Sequence, residues 1–411
     1  MLAGSSFHRG VRRGALQHRD VGFVHDALVR APMMLIVTML TLPAACTPAG
    51  QSSSVKSAKD KKPEQVIEVP TVVVTPLGDE EIKAEFERAQ KLLLAGEYRT
   101  AAEIFDKLAK ARPGTDVEAP CLYNAAIAYE SFGAWDDALS RLREVLRRFP
   151  GYAFERNALM RTGRILAHVE RWSELVAVMD RLLLRTDLAR LEMVEVRGMR
   201  GLGLVEQDMV DEALREVSIA RDIIERERFG EAGKPPIELA VVWFALGEVR
   251  RKKSEQIVFV PSPANYGETL ERRCQGLLDA QRAYTDAMRS LDARWTAMAG
   301  YRLGQLYQDL YRDVMQAPPP KQADTLRKKQ LFEGAMRLRY RVLLEKGLDM
   351  MKGTVRMADR TGESSAWVSR AREAERALEM ALADEKAALA KMPFTEDELR
   401  EALEDLKKKK P

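Results

Sequence analysis

The sequence predicts an all-α solenoid, a stack of antiparallel helix pairs closed by C-terminal capping helices. Three observations predict it. Apolar residues keep a helical spacing from Asp79 onward. Small residues return at one place in successive segments, as Ala126, Gly163, Gly201, Gly247 and Gly304, the first two 37 residues apart. Bulky residues recur beside them, in the series Phe105, Leu142, Met179, Val217 and Tyr284. Paired helices approach closely only where a small side chain faces a large one. Glycine inside a helix costs about 0.5–1 kcal/mol relative to alanine, so its recurrence implies that close packing offsets the cost. One pair cannot bury its own apolar face, so such an array is stable only as a stack.

The first element is a targeting segment. Arg12, Arg13, Arg19 and Arg30 precede an uncharged apolar run at 33–42, which ends in Leu42-Pro43-Ala44-Ala45-Cys46. Basic residues, an apolar core and then small residues form the order of a secretory signal. The run is shorter than the roughly 20 apolar residues that span a bilayer. The Cys directly after Ala-Ala resembles the lipobox of bacterial lipoproteins, although Pro43 stands where that family usually has Leu. The resemblance implies that Cys46 becomes the first mature residue and carries the lipid. The alternative is an ordinary secretory signal with Cys46 a free thiol. Residues 1–45 hold five Arg and two Asp, a net +3 of the chain's +4, so the remainder carries about +1. No basic stripe argues for nucleic acid. The mean hydropathy of −0.31 argues against several membrane spans.

Residues 46–78 are rich in Ser, Lys, Pro and Thr without helical period, and read as a flexible tether. The solenoid is expected over 79–314. Gly96-Glu97-Tyr98, Ala101, Phe105, Leu108 and Pro113 form the second half of a first repeat. Leu122-Tyr123-Asn124-Ala125-Ala126-Ile127-Ala128-Tyr129, then Ala138, Leu142, Val145 and Pro150, form the second. Further repeats open near Thr162-Gly163, Arg200-Gly201, Trp243-Phe244-Ala245-Leu246-Gly247 and Gly300-Tyr301-Arg302-Leu303-Gly304. The second helix of the fifth is delayed, with Ala280, Tyr284 and Ala287 at the expected mutual spacing.

This pattern resembles the tetratricopeptide (TPR) family over about residues 82–310. The resemblance implies a right-handed superhelix whose first helices line a concave, partner-binding groove. It places Tyr123, Asn124, Glu130, Asn157, Met160, Arg164, Phe244, Glu248, Arg251, Tyr301 and Gln305 on or near that groove. Asn124 stands where many family members carry an Asn that bonds a bound peptide's backbone.

An inserted loop is expected at about 253–267, where Ile257-Val258-Phe259-Val260 leads into Pro261-Ser262-Pro263. Residues 315–411 read as a helical extension and cap, opened by Pro318-Pro319-Pro320 and ending in a helix started by the capping box Thr395-x-x-Glu398.

Nothing in the sequence assembles a reaction centre. The only histidine beyond the leader is His168, inside a repeat helix; Cys121 and Cys274 are far apart and read as packing residues. Gly198-x-x-Gly201-x-Gly203 has the wrong order for a dinucleotide fingerprint. The expectation is therefore no enzyme, cofactor, metal or nucleic-acid partner. The protein is expected to be a lipid-tethered scaffold at the periplasmic face of the outer membrane, binding other envelope proteins; a soluble periplasmic chaperone and a cell-wall hydrolase are the alternatives. A lipid anchor joined to a repeat array resembles outer-membrane assembly lipoproteins and the repeat lipoproteins of trans-envelope machines. The segments Arg272-Arg273-Cys274-Gln275-Gly276-Leu277-Leu278-Asp279-Ala280-Gln281 and Arg360-Thr361-Gly362 look like those of myxobacterial gliding-motility repeat lipoproteins.

Overall fold

The computed structural model describes residues 80–260, 266–319 and 323–408. The expected signal, the tether and Cys46 lie outside them. The described residues form fourteen helices and no strand. The first four pairs are α1 (Glu80–Leu94) with α2 (Tyr98–Ala111), α3 (Glu118–Ser131) with α4 (Trp135–Arg148), α5 (Glu155–His168) with α6 (Trp172–Leu183), and α7 (Arg190–Glu206) with α8 (Val210–Glu227). Two longer pairs follow, α9 (Glu238–Glu255) with α10 (Tyr266–Met288) and α11 (Ala293–Met315) with α12 (Leu326–Thr361). Then α13 (Ala366–Ala390) and α14 (Glu396–Lys408) pack on α12. Most elements pack on their sequence neighbours, with α9 also lying against α7 and α14 folding back onto α12, as in a one-dimensional stack. The fold is an all-α solenoid of the TPR type.

The small-against-bulky contacts form as expected in the middle of the array. A Cβ on Gly163 would run into Met179, one on Gly201 would lie 2.9 Å from Val217 Cγ2, and one on Gly247 would lie 2.5 Å from Tyr284 Cε1. Gly304 departs from the series: its bulky partner is Met351 of α12, with Cε 2.5 Å from the added carbon.

The turns inside the first four pairs are three residues long, and the middle residue is left-handed in each. Gly96 and Gly133 hold that position at φ 85° and 83°; Glu170 and Asp208 hold it at 59° and 63°. A residue with a Cβ pays about 1 kcal/mol for this conformation. Both carboxylates there face a cation far along the chain: Glu170 bonds Arg370, and Asp208 bonds Lys252.

Local signals set the helix ends. α4 carries Asp136 and Asp137 in its first turn and Arg147 and Arg148 in its last, which complements the helix dipole. Asp292 caps α11, its carboxylate accepting from the Trp295 amide at 2.9 Å. Asp292→Ala is expected to cost about 1 kcal/mol; an unchanged urea midpoint would show that this end is held by packing alone. Thr395 and Glu398 form the reciprocal box that starts α14: Thr395 N donates to Glu398 Oε2 at 2.7 Å, and Glu398 N to Thr395 Oγ1 at 3.2 Å.

The irregular segment is shorter than the expected 253–267. Helix α9 continues to Glu255 and α10 already begins at Tyr266. The described part, 256–260, is pinned by buried Phe259, whose ring centroid is 5.5 Å from that of Tyr266. Val258 and Val260 point outward.

Candidate partner-binding surface

The structure separates the eleven expected groove residues into two groups. On α3 and α5, Tyr123 is not available to a partner. It is 2% exposed, its ring stacks on Phe154 at 5.8 Å, and the Arg161 guanidinium lies over it. Asn124 is fully buried, and its Nδ2 donates to the Pro120 carbonyl of its own helix at 2.9 Å. Its Oδ1 has no partner among the described residues. Met160 is buried in the common core. These three positions are corrected: the turn entering α5 brings Phe154 onto α3, and the stack closes over them.

Glu130, Asn157 and Arg164 remain within reach of solvent. Glu130 accepts from Arg161, and Arg164 donates Nε and Nη2 to the two oxygens of Glu195 at 2.7 and 2.8 Å. These bonds join α3 to α5 and α5 to α7. They hold the exposed parts of long side chains in fixed orientation.

On α9 and α11 the expected groove residues are covered from within. Phe244 is fully buried, with ring centroids of Tyr284 at 5.5 Å, Trp295 at 5.7 Å and Trp367 at 6.4 Å. Glu248 is also fully buried. It accepts from Tyr284 Oη at 2.7 Å and Arg251 Nη2 at 2.6 Å, and Arg302 Nε lies 2.8 Å from its Oε1. Arg251 also donates to Glu255 at 2.9 Å. Gln305 accepts from Arg302 Nη1 at 2.9 Å, and half-buried Tyr301 packs edge-on against Trp367. Phe244, Glu248 and Arg251 therefore serve the joint between helices rather than an open groove.

Sequence reasoning missed Glu206, Arg302, Trp367 and Arg370, which complete this joint. Arg302 Nη2 donates to Glu206 at 3.1 Å. Burial and the neighbouring Glu248 carboxylate push Glu206 above the ordinary glutamate range. Burial would also raise Glu248, but Arg302, Arg251 and the Tyr284 hydroxyl hold it below that range. The pair thus divides its charge, with Glu248 the stable anion. Arg251 and Arg302 both face the Glu248 carboxylate and Arg302 also donates to Glu206, so the arrangement joins α7, α9 and α11.

The other reactive side chains are held in unreactive forms. His168 packs on Trp135 with ring centroids 4.1 Å apart, and burial together with the Arg294 charge lowers it to about 4. Burial pushes the Cys121 and Cys274 thiols up to about 12, away from the thiolate form that reacts. Among the described residues, no three His, Cys, Asp or Glu side chains could hold a metal ion. No helix among them is long and apolar enough to cross a membrane.

No family model matches this sequence, and no curated protein matches it. Solved structures do resemble the chain. A tetratricopeptide repeat protein from Parabacteroides merdae shares 11% identity over 73% of this chain and 100% of its own, with a TM-score of 0.42. The C-terminal part of a TPR repeat-containing protein from Cytophaga hutchinsonii shares 11% over 74% and 99%, with a TM-score of 0.37. YrrB, described as a TPR protein with an unusual peptide-binding site, shares 19% over 51% and 90%, with a TM-score of 0.35. The fold assignment rests on the helix pairing described above.

Proposed function

We propose that the chain is a scaffold of the bacterial cell envelope that binds other proteins and makes no bonds of its own. Cys46 carries a lipid that tethers it to the periplasmic face of the outer membrane, where it serves an outer-membrane assembly or gliding complex. The observation that carries this reading is the polar run Glu130–Arg161, Asn157 and Arg164–Glu195 across α3, α5 and α7. Three first helices at about 8–10 Å spacing offer roughly 20 Å, enough for about six residues of extended chain. Side chains already fixed by ion pairs lose little further freedom on binding.

The test is crosslinking and affinity capture of the acylated protein from its native envelope. Stoichiometric protein partners are expected, lost in Asn157→Ala/Arg164→Glu. Recovery of monomer alone would overturn the scaffold reading. Metabolic acyl label is expected on the wild type and absent from Cys46→Ser; an unlabelled wild type would favour a soluble periplasmic chaperone instead.

A further inference from the structure

We propose that the first turns of α13 are an internal stopper, occupying a docking site that accepts a helix bearing an aromatic residue and, three positions later, a cation. Three observations converge on this. Phe244 and Tyr301, on the first helices α9 and α11, are both in ring contact with Trp367, which comes from α13. Trp367 is itself held between two guanidinium groups, Arg302 at 5.1 Å and Arg370 at 4.6 Å from its ring. Arg370 then donates both terminal nitrogens to Glu170 at 2.6 and 3.0 Å, closing a span of 200 residues from α13 back to the α5–α6 turn.

Glu170 occupies the left-handed turn position that glycine fills in the first two repeats. The backbone there favours glycine, yet the residue carries a carboxylate, and that carboxylate is spent on Arg370. Beyond its first turns α13 packs along α12, where Ala371 and Leu378 share a small core with Leu344 and Met351 and Arg337 donates to Glu385. Beyond Trp367 its buried side chains are Val368, Ala371, Leu378 and Glu385, and most other positions face solvent. Ser365, at its N-cap, makes no capping bond. The Arg370–Glu170 pair is itself partly exposed, at 38% and 27%. A charged bidentate pair fixes geometry strongly, and one open to water can exchange partners. A helix presenting the same aromatic and cation one turn apart satisfies Phe244, Tyr301 and Glu170 in the same way.

Charge reversal tests this in the full chain. Arg370→Glu and Glu170→Arg are each expected to raise hydrogen exchange over 366–378 and 240–248 about tenfold, with residues 80–148 unchanged. The Glu170→Arg/Arg370→Glu double variant is expected to return to wild-type exchange. A fluorescent peptide with the sequence of residues 363–378 is the probe. It is expected to bind Arg370→Glu, where the site is open and Glu170 intact, and neither the wild type nor Glu170→Arg. If Arg370→Glu does not fold, Arg370→Gln takes its place in both measurements. Unchanged exchange in the single variants would overturn the proposal. So would raised exchange without peptide binding, which would make α13 a fixed part of the stack.

Discussion

Gly247→Ala is expected to lower the unfolding free energy by about 3 kcal/mol, a far larger effect than one methyl group suggests. The added carbon would lie 2.5 Å from Tyr284 Cε1 and 2.6 Å from Cδ1. The ring cannot retreat. Tyr284 is fully buried, its hydroxyl is bonded to Glu248 at 2.7 Å, and its ring packs on Phe244 with centroids 5.5 Å apart. Helices α9 and α10 must therefore separate, and the Glu248 joint separates with them. Two companion substitutions isolate the cause. At Gly163 the obstacle is the methyl end of Met179, a flexible side chain that can swing away, so alanine there is expected to change stability by less than about 1 kcal/mol. At Gly353, inside α12, nothing lies within 4 Å of the added carbon, and alanine is expected to stabilise by about 0.5–1 kcal/mol through helix propensity. Urea unfolding followed by helical circular dichroism orders the three. Similar midpoints for Gly247→Ala and Gly353→Ala would remove close packing as the reason for glycine in these helices.

The same contrast shows what the sequence made legible. Gly163 with Met179 and Gly201 with Val217 are each 16 residues apart in consecutive helices, so the pattern can be read along the chain, and Gly247 meets Tyr284 in the next helix although the two are 37 residues apart. The partner of Gly304 could not be read that way. Met351 lies late in a 36-residue helix whose length breaks the repeat. The groove residues failed for a related reason. Helical spacing says which way Tyr123 or Phe244 points, but not what arrives to cover it. Phe154 comes from the next repeat's turn, and Trp367 from a helix beyond the repeats that were recognised. Two signals were nevertheless present. Acidic residues replace glycine at the turn positions Glu170 and Asp208, and Arg302 stands in the same first-helix position as Arg161. Both become informative once a distant partner is known. Neither is periodic, so neither stands out in a search for periodicity.

Glu248→Gln is expected to cost about 3–5 kcal/mol at neutral pH, because it leaves two guanidinium groups at the joint without their shared anion. Arg251 and Arg302 are both within 2.8 Å of this carboxylate, and the Tyr284 hydroxyl donates to it. Glutamine keeps the shape and loses the charge, so the loss reports electrostatics rather than a cavity. The pH dependence identifies the pair further. The folded pKa of Glu206 is raised from 4.5 to about 7. Its contribution is therefore fully present below pH 4.5 and is lost as pH rises to about 7. That of Glu248 is lowered from 4.5 to about 2, so its contribution is present above pH 4.5 and is lost as pH falls toward 2. Glu206→Gln, which cannot ionise, is accordingly expected to match the wild type near pH 4.5 and to exceed it by about 3 kcal/mol at pH 8. Urea midpoints for the wild type, both single variants and the double variant, each taken at pH 4.5 and pH 8, make the comparison. In Glu248→Gln the carboxylate that helps to raise Glu206 is gone, so the loss of stability between those two pH values should shrink. Parallel pH profiles in all four proteins would mean that water screens these groups from one another, and that α7, α9 and α11 are joined by packing alone.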